Sequence, residues 1–265
     1  MRKHRSNAGG DLHPGYVRSV RLERQTIPTL DAYPFSIPAV RELHELELNP
    51  KVTFLVGDNG TGKSTLLEAI AVAAGFNAEG GSKNFSFATR SSESELHRYL
   101  RLVRSPRRPR DGFFLRAESY FNVATEIERL DAAPSFGPPL IEAYGGVSLH
   151  EQSHGESFLA LVRDRFRGDG FYILDEPEAA LSPTRQLSML ALMFDLVERR
   201  RSQLVVATHS PILMAYPDAT LFQLDAARGP RTVTYEETDH YRITKDFLDN
   251  RARYFKHLFA DYDAD

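Results

Sequence analysis

Gly57-Asp58-Asn59-Gly60-Thr61-Gly62-Lys63-Ser64-Thr65 is the stretch that decides the fold. It follows the apolar run Val52-Thr53-Phe54-Leu55-Val56 and precedes Leu66-Leu67-Glu68-Ala69-Ile70-Ala71-Val72-Ala73-Ala74, which gives the order strand, loop, helix. In that setting the spacing G-x-x-x-x-G-K-[ST] is a phosphate-binding loop. Glycines let the backbone turn tightly and aim N–H groups at phosphate oxygens, and the helix adds its positive N-terminal end. Lys63 is placed to reach β- and γ-phosphates as a point charge, and the Ser64 hydroxyl to ligate Mg²⁺. The loop therefore predicts binding of ATP or a similar nucleotide with Mg²⁺.

The bulk properties bound what surrounds this loop. At 265 residues the chain has room for one large α/β domain, with or without a smaller lobe. A net charge of -3 supplies no global field for nucleic acid or membrane, so a nucleic-acid partner would need a local patch. With no cysteine, disulfides, thiolate metal sites and thiol catalysis are excluded. The basic start, Met1 to Gly10, has no apolar segment behind it and does not read as a signal peptide. No run approaches the ~20 apolar residues of a membrane span, so a cytoplasmic protein is the expectation.

Outward from the loop, residues 1–15 read as a flexible tail. Tyr16 to Val40 alternates and then carries prolines at 28, 34 and 38, which suits an antiparallel lobe with edge strands and turns. Tyr33 and Phe35 fall in this lobe, where each fits a core position or a stacking surface for adenine. Residues 41–48 and 97–104 mix helical and strand periods. Phe85–Ala88 and Phe113–Leu115 read as strands, Phe121–Leu130 as an amphipathic helix, and 131–148 as a Pro/Gly-rich loop. The most basic stretch, Arg104 to Gly112, fits an acidic partner, nucleic acid or a solvated hairpin loop. Near the C-terminus, Thr244 can cap a helix running toward Leu258.

Three further motifs carry chemistry. Phe171-Tyr172-Ile173-Leu174-Asp175-Glu176 reads as a strand buried on both faces and ending in two carboxylates. In an open α/β sheet that end lies where ligands bind, which places Asp175 to hold Mg²⁺ and Glu176 to take a proton from attacking water. Gln203-Leu204-Val205-Val206-Ala207-Thr208-His209-Ser210 is a second such strand, one helix later, and brings His209 to the same sheet edge. Ser153-His154-Gly155-Glu156-Ser157 opens another helix; Ser153 and Glu156 are spaced as a capping box, and the same helix start fits an anion site.

Taken together and in this order, the phosphate loop, the Ser-His-Gly-Glu-Ser helix, the Asp-Glu strand and the Thr-His-Ser strand resemble the ABC-type ATPases. Within that superfamily the chain is similar to the soluble SMC- and RecF-like bacterial ATPases. The resemblance implies a P-loop NTPase fold: a mostly parallel sheet, an antiparallel N-terminal β lobe, and a helical subdomain over about residues 119–168. Residues 16–265 would form a single domain. It also implies roles for Ser153, Gly155 and Glu156, which match the signature motif that contacts nucleotide bound to the opposite subunit. Ala180-Leu181-Ser182 matches the loop that crosses the dimer interface, and His209 matches the switch histidine. Two positions depart from the family pattern: His154 stands where the first signature glycine is expected, and Glu118 where a Mg²⁺-linked glutamine is expected.

The resulting expectation is an ATP hydrolase that forms an ATP-dependent homodimer. Gly57 to Thr65 would hold the phosphates, Ser64 and Asp175 the Mg²⁺, and Lys63, Glu176 and His209 would act in catalysis. Two other outputs of the cycle are compatible with the chain. They are DNA repair or chromosome maintenance of the RecF/SMC kind, and service as the ATP-binding subunit of a transporter.

Overall fold

A computed structural model describes residues 14–82, 94–118, 154–225 and 227–259. The chain begins with β1 (Val17–Leu22), the single-turn helix α1 (Pro38–Arg41), β2 (Glu45–Glu47) and β3 (Val52–Val56). There follow α2 (Lys63–Ala74), β4 (Leu100–Arg104), β5 (Asp111–Arg116), α3 (His154–Arg165) and β6 (Gly170–Asp175). The remainder is α4 (Pro183–Phe194), β7 (Gln203–Ala207), the one-turn α5 (Pro211–Met214), β8 (Thr220–Gln223), β9 (Arg231–Val233), α6 (Asp239–Asp249) and α7 (Arg251–Leu258).

The principal sheet is six-stranded in the order β5-β6-β7-β3-β8-β9. All pairings are parallel except β8 with β9. Its inner strands are apolar runs because both faces are covered. On β3, Val52, Phe54 and Val56 enter one core with Phe158 and Leu161 of α3 and Met189 and Met193 of α4. Leu55 faces the other way, with Leu66 and Ile70 of α2, Ile173 and Val205. The second sheet is antiparallel, in the order β2-β1-β4. The fold is thus the expected α/β architecture with a mostly parallel sheet and a small antiparallel one.

Several local expectations change. The antiparallel sheet draws little from residues 23–44, where a turn-rich path and α1 stand; its third strand is β4, from beyond the P-loop helix. The mixed stretches resolve as helix followed by strand: α1 then β2, and a 3-10 turn at Glu95–Tyr99 then β4. Arg104 to Arg110 is not a hairpin loop, since β4 and β5 lie in different sheets. Arg107 pairs with Asp169 at 2.7 Å in that crossover. Phe35 is a core residue, edge-on to Tyr99, whereas Tyr33 is 68% exposed. The C-terminal helix begins at Asp239 under a Thr238 cap, and Thr244 lies inside it. The 1–13 part of the expected tail, Phe85–Ala88, Phe121–Leu130, the 131–148 loop and most of the 119–168 subdomain lie outside the described residues.

Gln203, at the start of β7, ties the two sheets together. Its Oε1 accepts from the amides of Tyr16 (2.7 Å) and Val17 (2.9 Å), and its Nε2 donates to the carbonyls of Val17 (2.8 Å) and Asn49 (2.9 Å). The residue is fully buried and three of these four bonds lie in the interior, where losing a partner is costly. Gln203→Leu keeps the volume and orphans these groups. It should lower stability by about 3 kcal/mol, read as a Tm loss of roughly 6–12 °C by thermal denaturation; an unchanged Tm would show that the clamp contributes nothing.

Candidate functional site

The P-loop runs from the carboxyl end of β3 into the first turn of α2. Gly57, Gly60 and Gly62 all take positive φ, the conformation that the tight turn requires. At Gly57 the constraint is doubled, because any Cβ there would collide with the Leu224 carbonyl oxygen. Asp58, Asn59 and Gly60 form the exposed crest, Thr61, Gly62 and Lys63 are buried beneath it, and Ser64 and Thr65 are half-buried. The Thr61 hydroxyl donates to the Asp58 carbonyl at 2.8 Å, and the Lys63 ammonium donates to the same carbonyl at 3.0 Å. Burial lowers the Lys63 pKa, opposed by Glu176, Asp175, Glu178 and Asp58.

The Asp-Glu strand reaches the loop from two strands away. Ser64 Oγ donates to Asp175 Oδ1 at 3.1 Å. Asp175 is 5% exposed, and burial raises its carboxyl to about 6 against the pull of Arg116 and the Ser64 hydrogen bond. Glu176 follows in a left-handed backbone conformation, φ 50° and ψ 51°, which is unusual for a residue with a side chain. Its amide is anchored on the Ala207 carbonyl at 2.9 Å. The carboxylate meets His209 Nε2 at 3.1 Å. Desolvation and the Lys63 charge lower the His209 pKa, which favours neutral imidazole. The His209 amide donates to the Glu178 carboxylate, fixing the backbone after β7.

Lys63, Ser64, Asp175, Glu176 and His209 therefore converge in one connected cluster. Gly155 and Glu156 stand elsewhere, at the start of α3. A methyl group on Gly155 would lie 2.9 Å from the Ala180 carbonyl oxygen and 2.5 Å from Arg185 Nη1, so this glycine is fixed by close packing. Glu156 pairs with Arg185 at 3.0 Å. Ser153 lies outside the described residues, as does the His154 side chain.

Two residues in the cluster carry no motif. Arg116 ends β5 in register with Asp175; its Nε is 3.5 Å from Asp175 Oδ2, and its Nη1 donates to Glu68 Oε2 at 2.8 Å. A strand-end arginine two residues before Glu118 was a usable signal, whereas Glu118 itself lies exposed. His240, from α6, places Nε2 3.0 Å from His209 Nδ1. Nothing in the local sequence ties it to a strand end about thirty residues earlier.

A family model described as an AAA domain matches residues 35–127, and another, described as an AAA domain, putative AbiEii toxin, Type IV TA system, matches residues 141–215. The thiamine import ATP-binding protein ThiQ of Rhizobium meliloti (strain 1021) is 28% identical over 242 residues, spanning 87% of this chain and 92% of that protein. Among solved structures, a putative metal-chelate type ABC transporter matches at 17% identity and TM-score 0.46, over 73% of this chain and 76% of its own. The SMC head domain from Thermotoga maritima matches at 17% and 0.42, over 82% and 99%. CbiO1 from Clostridium perfringens matches at 16% and 0.47, over 92% and 99%. With the first AAA match spanning the phosphate loop, the second spanning the Asp175 and His209 strands, and an ATP-binding relative along most of its length, the chain is a P-loop ATPase.

Proposed function

We propose that the chain hydrolyses ATP with Mg²⁺ at a site completed by a second copy of itself. The observation that carries this reading is the division of the motifs. The phosphate loop, Asp175, Glu176 and His209 form one cluster, while Gly155 and Glu156 pack on Ala180 and Arg185 at the start of α3. In ABC-type ATPases, which the motifs resemble, the signature helix serves the nucleotide of the opposite subunit. Joining both groups of residues to one nucleotide then takes two chains.

The residues fit both ligands. Lys63 is buried with its ammonium facing the loop's own carbonyl, which leaves donors for phosphate oxygens. Asp175 and Ser64 present a carboxylate and a hydroxyl already in contact, an oxygen donor pair suited to a hard cation. Among the described residues no three His, Cys, Asp or Glu side chains gather as a metal cage, so further ligands would come from nucleotide oxygens and water. Bound there, Mg²⁺ would neutralise charge on the β- and γ-phosphates. The chain's own part follows from position: Gly57 to Thr65 hold the phosphates, and Glu176 accepts a proton from the water attacking the γ-phosphorus. His209 orients Glu176 through Nε2–H.

A second reading is favoured by the ThiQ relative, whose name describes import: an ATP-binding subunit serving a separate membrane protein. The two differ in whether the ATP-trapped protein dimerises by itself or only on a membrane partner.

Glu176→Gln should retain ATP binding, lose turnover by about 10²- to 10⁴-fold and accumulate an ATP-bound dimer in light scattering; a strictly monomeric variant would remove the two-chain site. Lys63→Ala should weaken ATP binding about 10- to 100-fold by calorimetry, and unchanged affinity would take Lys63 out of the site. Asp175 gives a pH signature. Its folded carboxyl titrates near 6 against an ordinary 3.8, so its contribution to stability is present below 3.8 and lost as pH rises through 6. In ligand-free protein the Tm of Asp175→Asn relative to the parent should therefore climb between pH 4 and 7 and then level off. A gap that narrows over that range would contradict the buried carboxylate.

A further inference from the structure

The segment after β9 is fixed by its own sequence onto the back of the catalytic strand ends. Thr234 and Glu237 form a reciprocal capping box, and the Tyr235 hydroxyl donates to the Pro211 carbonyl at 2.9 Å, just after His209. Thr238, fully buried, then caps α6. These anchors place His240 in the first turn of α6, with its ring 5.0 Å from that of His209 and its Nε2 3.8 Å from Asp58 Oδ1 on the P-loop crest.

The protons along this line follow from the partners. As the base proposed above, Glu176 accepts at its carboxylate oxygen, so His209 Nε2 carries the hydrogen between them. Neutral His209 then offers a lone pair at Nδ1, and the 3.0 Å contact requires that His240 Nε2 donate. His240 Nδ1 becomes an acceptor. It is buried with no hydrogen-bond partner, a smaller cost for a lone pair than for an orphaned N–H. Burial lowers the His240 pKa, and the amino end of α6 adds a positive potential, which both favour the neutral ring.

We propose that His240 is a positioning residue for ATP hydrolysis, its Nε2–H holding His209 in the tautomer that donates from Nε2 to Glu176. The catalytic pair is thereby linked to α6, an element apart from the P-loop, Asp-Glu and His strands. This rests on the reading of Glu176 and His209 given above.

The test uses the full chain with ATP and Mg²⁺, measuring steady-state ATPase and ATP affinity for His240→Ala, His240→Gln, His209→Ala and the double variant His209→Ala/His240→Ala. His240→Ala should lower kcat about tenfold, with KM and ATP affinity within about twofold. His240→Gln, whose amide can donate from a similar position, should recover most of kcat. In the His209→Ala background, removing His240 should add nothing, because it acts through His209. Nitrogen chemical shifts of the His209 ring should move from one tautomer to a mixture in His240→Ala alone. An unchanged kcat in His240→Ala, or an equal loss with and without His209, overturns the proposal. So does a loss that tracks falling Tm and ATP affinity and is not restored by glutamine. If His209→Ala and Glu176→Gln themselves keep full kcat, the underlying site reading falls first, and the proposal with it.

Discussion

The site depends on a backbone ladder that runs one step past the ends of the parallel strands. The Thr208 amide donates to Leu55, Glu176 to Ala207, and Ala117 to Asp175, while on the other flank Leu224 donates to Val56. Each bond joins the first residue beyond one strand to the last turn of ladder on its neighbour. Loop residues that would otherwise be free are thus held with the rigidity of the sheet. Asp175, Glu176 and His209 meet Lys63, at the start of α2, because β3, β6 and β7 stop at the same level and the ladder does not.

That rigidity is set against unfavourable electrostatics. Burial moves Lys63 and His209 toward neutrality and lifts Asp175 out of the ordinary carboxylate range, and Glu176 stands in a backbone region that favours glycine. Perturbed groups of both signs packed under a turn of left-handed glycines are what a phosphate- and cation-binding cleft requires, because the ligand supplies the missing charges. The two cores on either side of the sheet, built mostly from aliphatic and phenylalanine side chains, offset that cost.

How far the sequence could be read varies with the locality of the signal. The P-loop, the Asp-Glu strand and the His strand were legible because each is a buried parallel strand followed by residues that only a ligand site explains. The parallel sheet followed from those apolar runs. β4 was hidden because Leu100–Arg104 pairs with β1 across some eighty residues, and pairing over that separation leaves no local trace beyond a blurred alternation. The helix start was misread because Thr244 and Thr238 are both acceptable caps, and tertiary anchoring by Tyr235 chose between them. His240 escaped for the same reason, since its role lies in a side chain that reaches across elements, whereas Arg116 stood at a strand end where it could have been read.

Gln203 and His209 bracket the same strand, one gripping β1 at its start and the other meeting Glu176 just beyond its end. Hydrogen-bonded to β3 and β6 along its two edges, the five-residue strand holds those two contacts at a fixed separation. One strand thus serves both as the tie to the antiparallel sheet and as the mount of the histidine beside Glu176.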